Sequence, residues 1–407
     1  MRSAVRTSLL GSIVCIVALA VVAVAPRTSR AATCDTLSNP LYLQVGDTQL
    51  NLMRNLGRML RDNTPEPITL VFTTSGSCTN IDNFYNHTAP ITVDMQYVPS
   101  TAEDPAWDPA LSPTLTCTPP GAGVFPDIGN SALFISSCTS QPPPATVALE
   151  NGPIQAYVMA VPKASSQIAI TFEEAYFVFG FGMAGMVMPW IDETQMFIRT
   201  ITKSTLLTWA ANIDVPGADW YGIRFDGSPS VVSALQNSTE PEAAIGILGA
   251  EVYDAGRSTL TELAYRAKDQ YAAYFADSTS TSFDKQNVRD GHYTVWSPTV
   301  WMYNTTGSGG TPVNPAAKYV VDMIAGHPVT PTPTIDPDVA VARVGLVPDC
   351  AMRVQRQYDG GDLSLYQPAT SCVCKFLSIV ATTTCATCDV STPCTTGVCR
   401  SGYCEDF

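Results

Sequence analysis

The placement of the cysteines constrains this chain more than any other feature. There are 13 in 407 residues. Cys34, Cys78, Cys117 and Cys138 come early, and none lies between Cys138 and Cys350. Eight then crowd into residues 350–407, at Cys350, Cys372, Cys374, Cys385, Cys388, Cys394, Cys399 and Cys404. The cysteine-free stretch must therefore be held by an apolar core. So dense a tail has little core of its own and reads as a small disulfide-stapled appendage. Zinc is the alternative for the tail, since Cys385 and Cys388 have the first spacing of a ligand pair. No second such pair follows, and no histidine lies there. The pairing of eight cysteines is left open.

The first 31 residues read as a cleaved secretory leader. Arg2 and Arg6 precede an apolar run from Leu9 to Ala25, followed by polar Pro26 to Arg30 and a cut near Ala31. That run is at the short limit for a membrane span. Ala31-Ala32-Thr33-Cys34 lacks the aliphatic and small residues of a lipobox, which argues against lipid anchoring. Export places the protein in the periplasm or at the cell surface. Cys15 leaves with the leader, and the remaining cysteines are even in number, as disulfides require. Losing the leader's four arginines takes the net charge from −14 to about −18. So acidic a chain is a poor partner for nucleic acid. Being 45% hydrophobic and 14% charged, the body is long enough for two lobes with real cores.

The body alternates strand and helix patterns. Leu41 to Val45, Ile68 to Thr73, Ile91 to Val98, Ala132 to Ile135 and Ile154 to Val161 read as strands. Gln49 to Arg61 reads as a helix, with Leu52, Leu56, Met59 and Leu60 on one face. Thr171-Phe172-Glu173-Glu174 is a capping box opening another, which Gly180 can close. Pro315 to Ala325 is a last helix, stopped by Gly326. Such alternation predicts α/β layers with largely parallel sheets. Residues 99–152, rich in proline, read as long loops tied down by Cys117 and Cys138. Thr330 to Thr334 reads as a semi-rigid connector.

Three polar loops each follow a strand and precede a helix: Gly46-Asp47-Thr48, Thr74-Ser75-Gly76-Ser77, and Thr200 to Thr205. A helix N-terminus presents unpaired N–H groups and partial positive charge, so such loops can hold an oxyanion. Arg199 and Lys203 add full charge beside the third. Each loop alone reads better as ordinary capping and turn chemistry. Three at corresponding places favour a site.

Tyr42 to Thr48 with its helix, FTTSGSCTNIDNF (Phe72 to Phe84), PDIGNSALF (Pro126 to Phe134) and IQAYVMAVPKAS (Ile154 to Ser165) resemble segments of the periplasmic phosphate-binding proteins of ABC importers. So do FEEAYFVFGFG (Phe172 to Gly182), PWID (Pro189 to Asp192) and IRTITKST (Ile198 to Thr205), in the same order. The resemblance spans most of residues 40–328. It implies a two-lobed α/β periplasmic-binding-protein-like fold with a two-strand hinge that closes on a ligand, plus the disulfide-rich appendage. It also implies a monomer and an ABC permease as partner. The lobes would be 32–155 with 292–345, and 156–291, with the tail at 346–407. The second hinge crossing would fall near residues 287–293. The implied ligand set is Asp47, Thr48, Ser75, Gly76, Ser77, Asn130, Ser131, Arg199, Lys203, Ser204 and Thr205. Two positions depart from the family: Lys203-Ser204-Thr205 replaces its Ser-Gly-Thr, and Ala132 replaces the carboxylate that accepts a proton from bound phosphate. Both changes disfavour strict phosphate selectivity.

No cofactor is expected. His87, His292 and His327 are far apart in sequence and none has a second ligand at i+3 or i+4, which gives no metal or Ser-His pattern. The chain has no GxSxG, P-loop or HExxH. The polar stretch from Asp277 to Asp290 reads as a hydrogen-bonded loop, and the tryptophans read as core. The expectation is a solute-binding protein for phosphate or a related oxyanion and not an enzyme. The alternative is a ligand-less surface, adhesion or scaffold protein on the same fold. A phosphate-ester hydrolase is the weakest reading, for want of a nucleophile and base.

Overall fold

The computed structural model describes residues 32–381 and 384–405. The expected leader lies outside them. The first elements are β1 (Ala32–Thr33), β2 (Pro40–Gly46), α1 (Leu50–Arg61), β3 (Thr69–Ser75) and α2 (Ser77–Asn86). Then come β4 (Met95–Tyr97), β5 (Leu115–Thr118), β6 (Ile128–Ser131) and the 16-residue β7 (Val147–Pro162). Beyond β7 run β8 (Ala169–Thr171), α3 (Phe172–Phe181), β9 (Met196–Arg199), α4 (Ser204–Asn212), β10 (Ile223–Phe225) and α5 (Ser228–Gln236). After them follow β11 (Ile245–Gly249), α6 (Ala250–Gly256), β12 (Leu260–Glu262), β13 (Ala264–Arg266), α7 (Gln286–Arg289) and β14 (Trp296–Asn304). The chain continues through α8 (Pro315–Ile324), α9 (Pro337–Arg343) and α10 (Val373–Val380).

Twelve strands form one sheet in the order β1-β5-β4-β3-β2-β6-β14-β7-β11-β9-β10, with β12 also on β7. The sheet is mixed rather than largely parallel. β2 lies parallel to β3 and β6, and β9 parallel to β10 and β11. Between these groups the long strands β7 and β14 run antiparallel to each other. Two cores flank the pair. Leu41, Leu43, Val45, Leu56, Phe72 and Val320 belong to one, and Met196, Ile198, Trp209, Ile245, Ile247 and Val178 to the other. β7 and β14 serve both: Tyr157, Val158 and Trp296 lie in the second core, Trp301 and Tyr303 in the first. The architecture is therefore a two-lobed α/β fold joined through two strands.

Several local readings need correction. Ala132 to Ile135 is not a strand; the strand is Ile128–Ser131, whose Gly-Asn-Ser end looks like loop in sequence. A side chain on Gly129 would meet Phe84 at 2.7 Å and Met302 at 2.9 Å, so glycine leaves room for both on that face of the strand. The α3 capping box forms as read, but the helix runs past Gly180 and ends at Gly182, where φ is +53°. Residues 287–293 hold α7 and a turn, and the strand that pairs with β7 starts at Trp296. Residues 99–113 are loop, pinned by α1: Arg54 donates to Pro109 O at 2.6 Å, and Arg58 to Asp104 O at 2.6 Å. Both guanidiniums lie 5.6 Å from the Trp107 ring.

All twelve remaining cysteines pair, as Cys34–Cys117, Cys78–Cys138, Cys350–Cys372, Cys374–Cys385, Cys388–Cys399 and Cys394–Cys404. The C-terminal region does not hang free. Ala351, Met352, Cys372 and Phe376 are buried in the second core. Lys375 on α10 bridges Asp336 and Asp338 at the start of α9, at 2.8 and 2.6 Å. The Thr330–Thr334 segment is likewise docked, with Thr334 N donating to Asn63 Oδ1 at 3.0 Å.

Candidate functional site

The C-terminal ends of β2, β3, β6 and β9 meet at one place. A hypothetical Cβ on Gly46, at the end of β2, would lie 3.5 Å from Thr48 Oγ1, 3.6 Å from Asn130 Oδ1 and 3.9 Å from Ser77 Oγ. The Gly46 N–H donates to Asn130 Oδ1 at 3.3 Å, and Ser77 Oγ accepts from Ala132 N at 3.1 Å. Asn130 is held in turn by Asn80, whose Nδ2 donates to Asn130 O at 2.9 Å. Ligands collect at strand ends of this kind in open α/β sheets because helix N-termini face one crevice there.

The β9–α4 loop closes over these groups. The Cys78 N–H at the start of α2 donates to Thr202 O at 3.2 Å. A Cβ on Gly76 would stand 2.6 Å from Thr202 Oγ1, so glycine lets the two loops touch. Arg199 is fully buried, and its Nη2 lies 2.6 Å from Asp47 Oδ2. Its Nη1 donates to Ser228 Oγ, and its Nε donates to Phe225 O at 3.2 Å. Ser228 Oγ reaches the same Asp47 oxygen at 3.4 Å. A guanidinium, a hydroxyl at a helix start and a carboxylate thus share one small volume.

A polar network lines the deeper wall. Gln49 Nε2 donates to Thr48 Oγ1 at 3.3 Å and to Gln155 Oε1 at 3.2 Å, and Gln155 Nε2 donates to Glu251 Oε2 at 2.5 Å. Burial pushes the Glu251 carboxyl up to about 8, helped by the Asp47 and Asp254 charges. The buried Tyr157 hydroxyl donates to Ala132 O. Burial holds that phenol well above its usual range, and the nearby Glu251, Asp359 and Asp47 carboxylates add to the effect. It is therefore a donor at any physiological pH. Asp359, from the C-terminal region, accepts from Phe134 N at 3.1 Å and from Ser137 Oγ at 2.5 Å. Thr205 Oγ1 and Gln49 Oε1 are buried without a protein partner.

Of the eleven residues singled out in sequence, Thr48, Ser77 and Asn130 converge at Gly46, and Asp47 and Arg199 bind each other. Gly76 seats the closing loop, Ser75 pairs with Gly46 across β2 and β3, and Ser204 and Thr205 open α4 in buried positions. Two are committed elsewhere. Lys203 Nζ lies 3.3 Å from the exposed Asp226 carboxylate, and Ser131 Oγ donates to Leu133 O at 2.8 Å. Sequence reasoning missed Gln49, Gln155, Tyr157, Glu251 and Asp359, and named Thr202 only as part of its loop. Gln155 and Tyr157 left a signal, as polar residues two apart in an apolar strand. So did Glu251, which follows a fourth strand-then-helix junction. Asp359 left none.

Two α/β lobes, two connecting strands and a crevice at the strand ends make a periplasmic-binding-protein-like fold. A phosphate ABC transporter substrate-binding protein from Clostridium perfringens, solved with bound phosphate, matches with a TM-score of 0.51 and 11% identity, over 76% of this chain and 99% of that one. An ABC-type phosphate transport receptor from Vibrio cholerae gives 0.47 and 10%, over 76% and 100%. A phosphate-binding protein from Stenotrophomonas maltophilia gives 0.43 and 10%, over 76% and 91%. No family model and no curated protein matches the sequence. The likeness to the Clostridium protein therefore establishes the fold, and these neighbours are binding proteins rather than enzymes. Among the described residues no helix is long and apolar enough to cross a membrane.

Proposed function

We propose that the protein is an exported solute-binding protein whose crevice takes a small oxyanion of the phosphate class and delivers it to an ABC-type importer. The observation that carries this reading is the buried Arg199 guanidinium clasping the Asp47 carboxylate among four strand ends. A charged group this deep needs an anionic partner, and Asp47, one-fifth exposed, is the group that an incoming oxyanion would displace. Thr205 Oγ1, buried and unpartnered beside the start of α4, is a further donor for such a ligand. The division into lobes 32–155 with 292–345 and 156–291, with a tail from 346, belongs to this proposal, as does the leader at 1–31.

The second reading is a scaffold that has kept the fold and lost the ligand. Its support is specific: Arg199 and the Cys78 N–H are already satisfied by the protein's own oxygens. Melting the protein against phosphate, sulfate, phosphonates and sugar phosphates separates the two. A ligand at a hundredfold excess over its Kd stabilises the folded state by about 2.7 kcal/mol. The binding reading expects one anion to raise the melting temperature and Arg199→Ala to abolish that rise. No rise with any anion supports the scaffold.

A further inference from the structure

We propose a divalent metal site on the first lobe, away from the crevice, formed by Glu150, Asp322 and His327. Their ligand atoms lie within 4.8 Å of one another. His327 Nδ1 is 3.9 Å from Asp322 Oδ1 and 4.0 Å from Glu150 Oε2. With the third separation at most 4.8 Å, each donor lies roughly 2.3–2.5 Å from their common centre. Nitrogen and carboxylate bonds to zinc run ~2.0–2.2 Å, so an ion needs only a slight contraction of the triangle.

The backbone builds this triad. α8 ends in a Schellman motif: the Gly326 N–H donates to Met323 O at 3.2 Å and the His327 N–H to Asp322 O at 2.8 Å. Gly326 takes φ +77°, which turns the chain back so that His327 stands over Asp322. Glu150 comes from β7, opposite Trp301 of β14, on the sheet that α8 covers. Asp322 is nine-tenths buried, and its Oδ1 has no hydrogen-bond partner. Its other oxygen accepts from Lys318 Nζ at 2.5 Å. The unpaired oxygen is thus the one that faces His327. Two carboxylates with one ammonium leave a net negative charge for a divalent cation. The exposed flank of His327 borders a cavity of about 500 Å³ that Glu150, Asp349 and Tyr366 also line, so the ion would keep an open coordination position. One nitrogen and two oxygens suit zinc, cobalt or manganese rather than copper(I).

The test is calorimetric titration of Zn²⁺ into the disulfide-bonded protein after EDTA treatment, with Co²⁺ absorbance as the spectroscopic check. We expect one equivalent to bind. His327→Ala and Glu150→Gln should each weaken it at least tenfold, with metal-free melting temperatures unchanged. Lys318→Met, which removes the competing cation, should tighten it several-fold. Absence of binding would overturn the assignment, and so would binding that survives in both His327→Ala and Glu150→Gln.

Discussion

Arg199 shows what one residue settles in this crevice. Its burial is complete, so its charge must be matched by the protein or by a ligand. Glu251 poses the opposite problem: burial favours its neutral form and lifts its carboxyl from 4.5 to about 8, and Glu262, buried in the same lobe, is lifted likewise. A group whose folded pKa exceeds its unfolded one gives stability that is full below the unfolded value and lost as pH rises through the folded one. Stability from these two acids should therefore fall between about pH 4.5 and 8. Urea unfolding at pH 5.5 and pH 8 checks this. Glu251→Gln should lose less stability than the unmodified protein over that interval. An unchanged pH dependence would mean that Glu251 is ionised in the fold. Most of the candidate residues were legible in sequence because strand-loop-helix junctions rich in Gly, Ser and Thr are a local pattern. Asp359 was not, because its place depends on how the C-terminal region packs.

Among the elements, the N-terminus of α2 is braced twice. Cys78, in its first turn, is tied to Cys138, and Ser77 is tied to Ala132. The disulfide closes a loop with a sequence separation of 60 and should contribute about 4 kcal/mol by the chain-entropy estimate. Replacing both cysteines with serine should lower stability by roughly 2–4 kcal/mol in urea unfolding. It should also weaken any crevice ligand, which an equally stable protein with unchanged binding would contradict. Helix α3 was readable from its capping box, which Thr171 and Glu174 complete at 3.1 and 2.8 Å. Thr171→Ala should cost about 1 kcal/mol without touching binding. Strand β6 was misread because Gly129-Asn130-Ser131 has loop composition. Its strand character comes from pairing with β14 and β2, which are distant segments, while Gly129 leaves room for Phe84 and Met302 on the face where a side chain would lie.

At the scale of the whole molecule, alternating elements pointed correctly to α/β lobes. They did not reveal that the sheet is mixed, since β14 returns antiparallel beside β7 after more than a hundred residues. The cysteine census pointed correctly to disulfides in the C-terminal region. It did not show that α10 and the segment around Met352 pack into the main core, because that burial comes from apolar residues between the cysteines. If Asp47 holds the place of a ligand, Asp47→Asn vacates that place. That change leaves the buried Arg199 without its anionic partner, at a cost toward the low end of ~3–5 kcal/mol because Asp47 is partly exposed. The measurement is the melting temperature of Asp47→Asn with and without phosphate-class anions. The expected result is a lowered melting temperature that one anion restores, by a larger shift than it gives the unmodified protein. A lowered melting temperature that no anion restores would contradict it and leave the crevice as a closed structural joint.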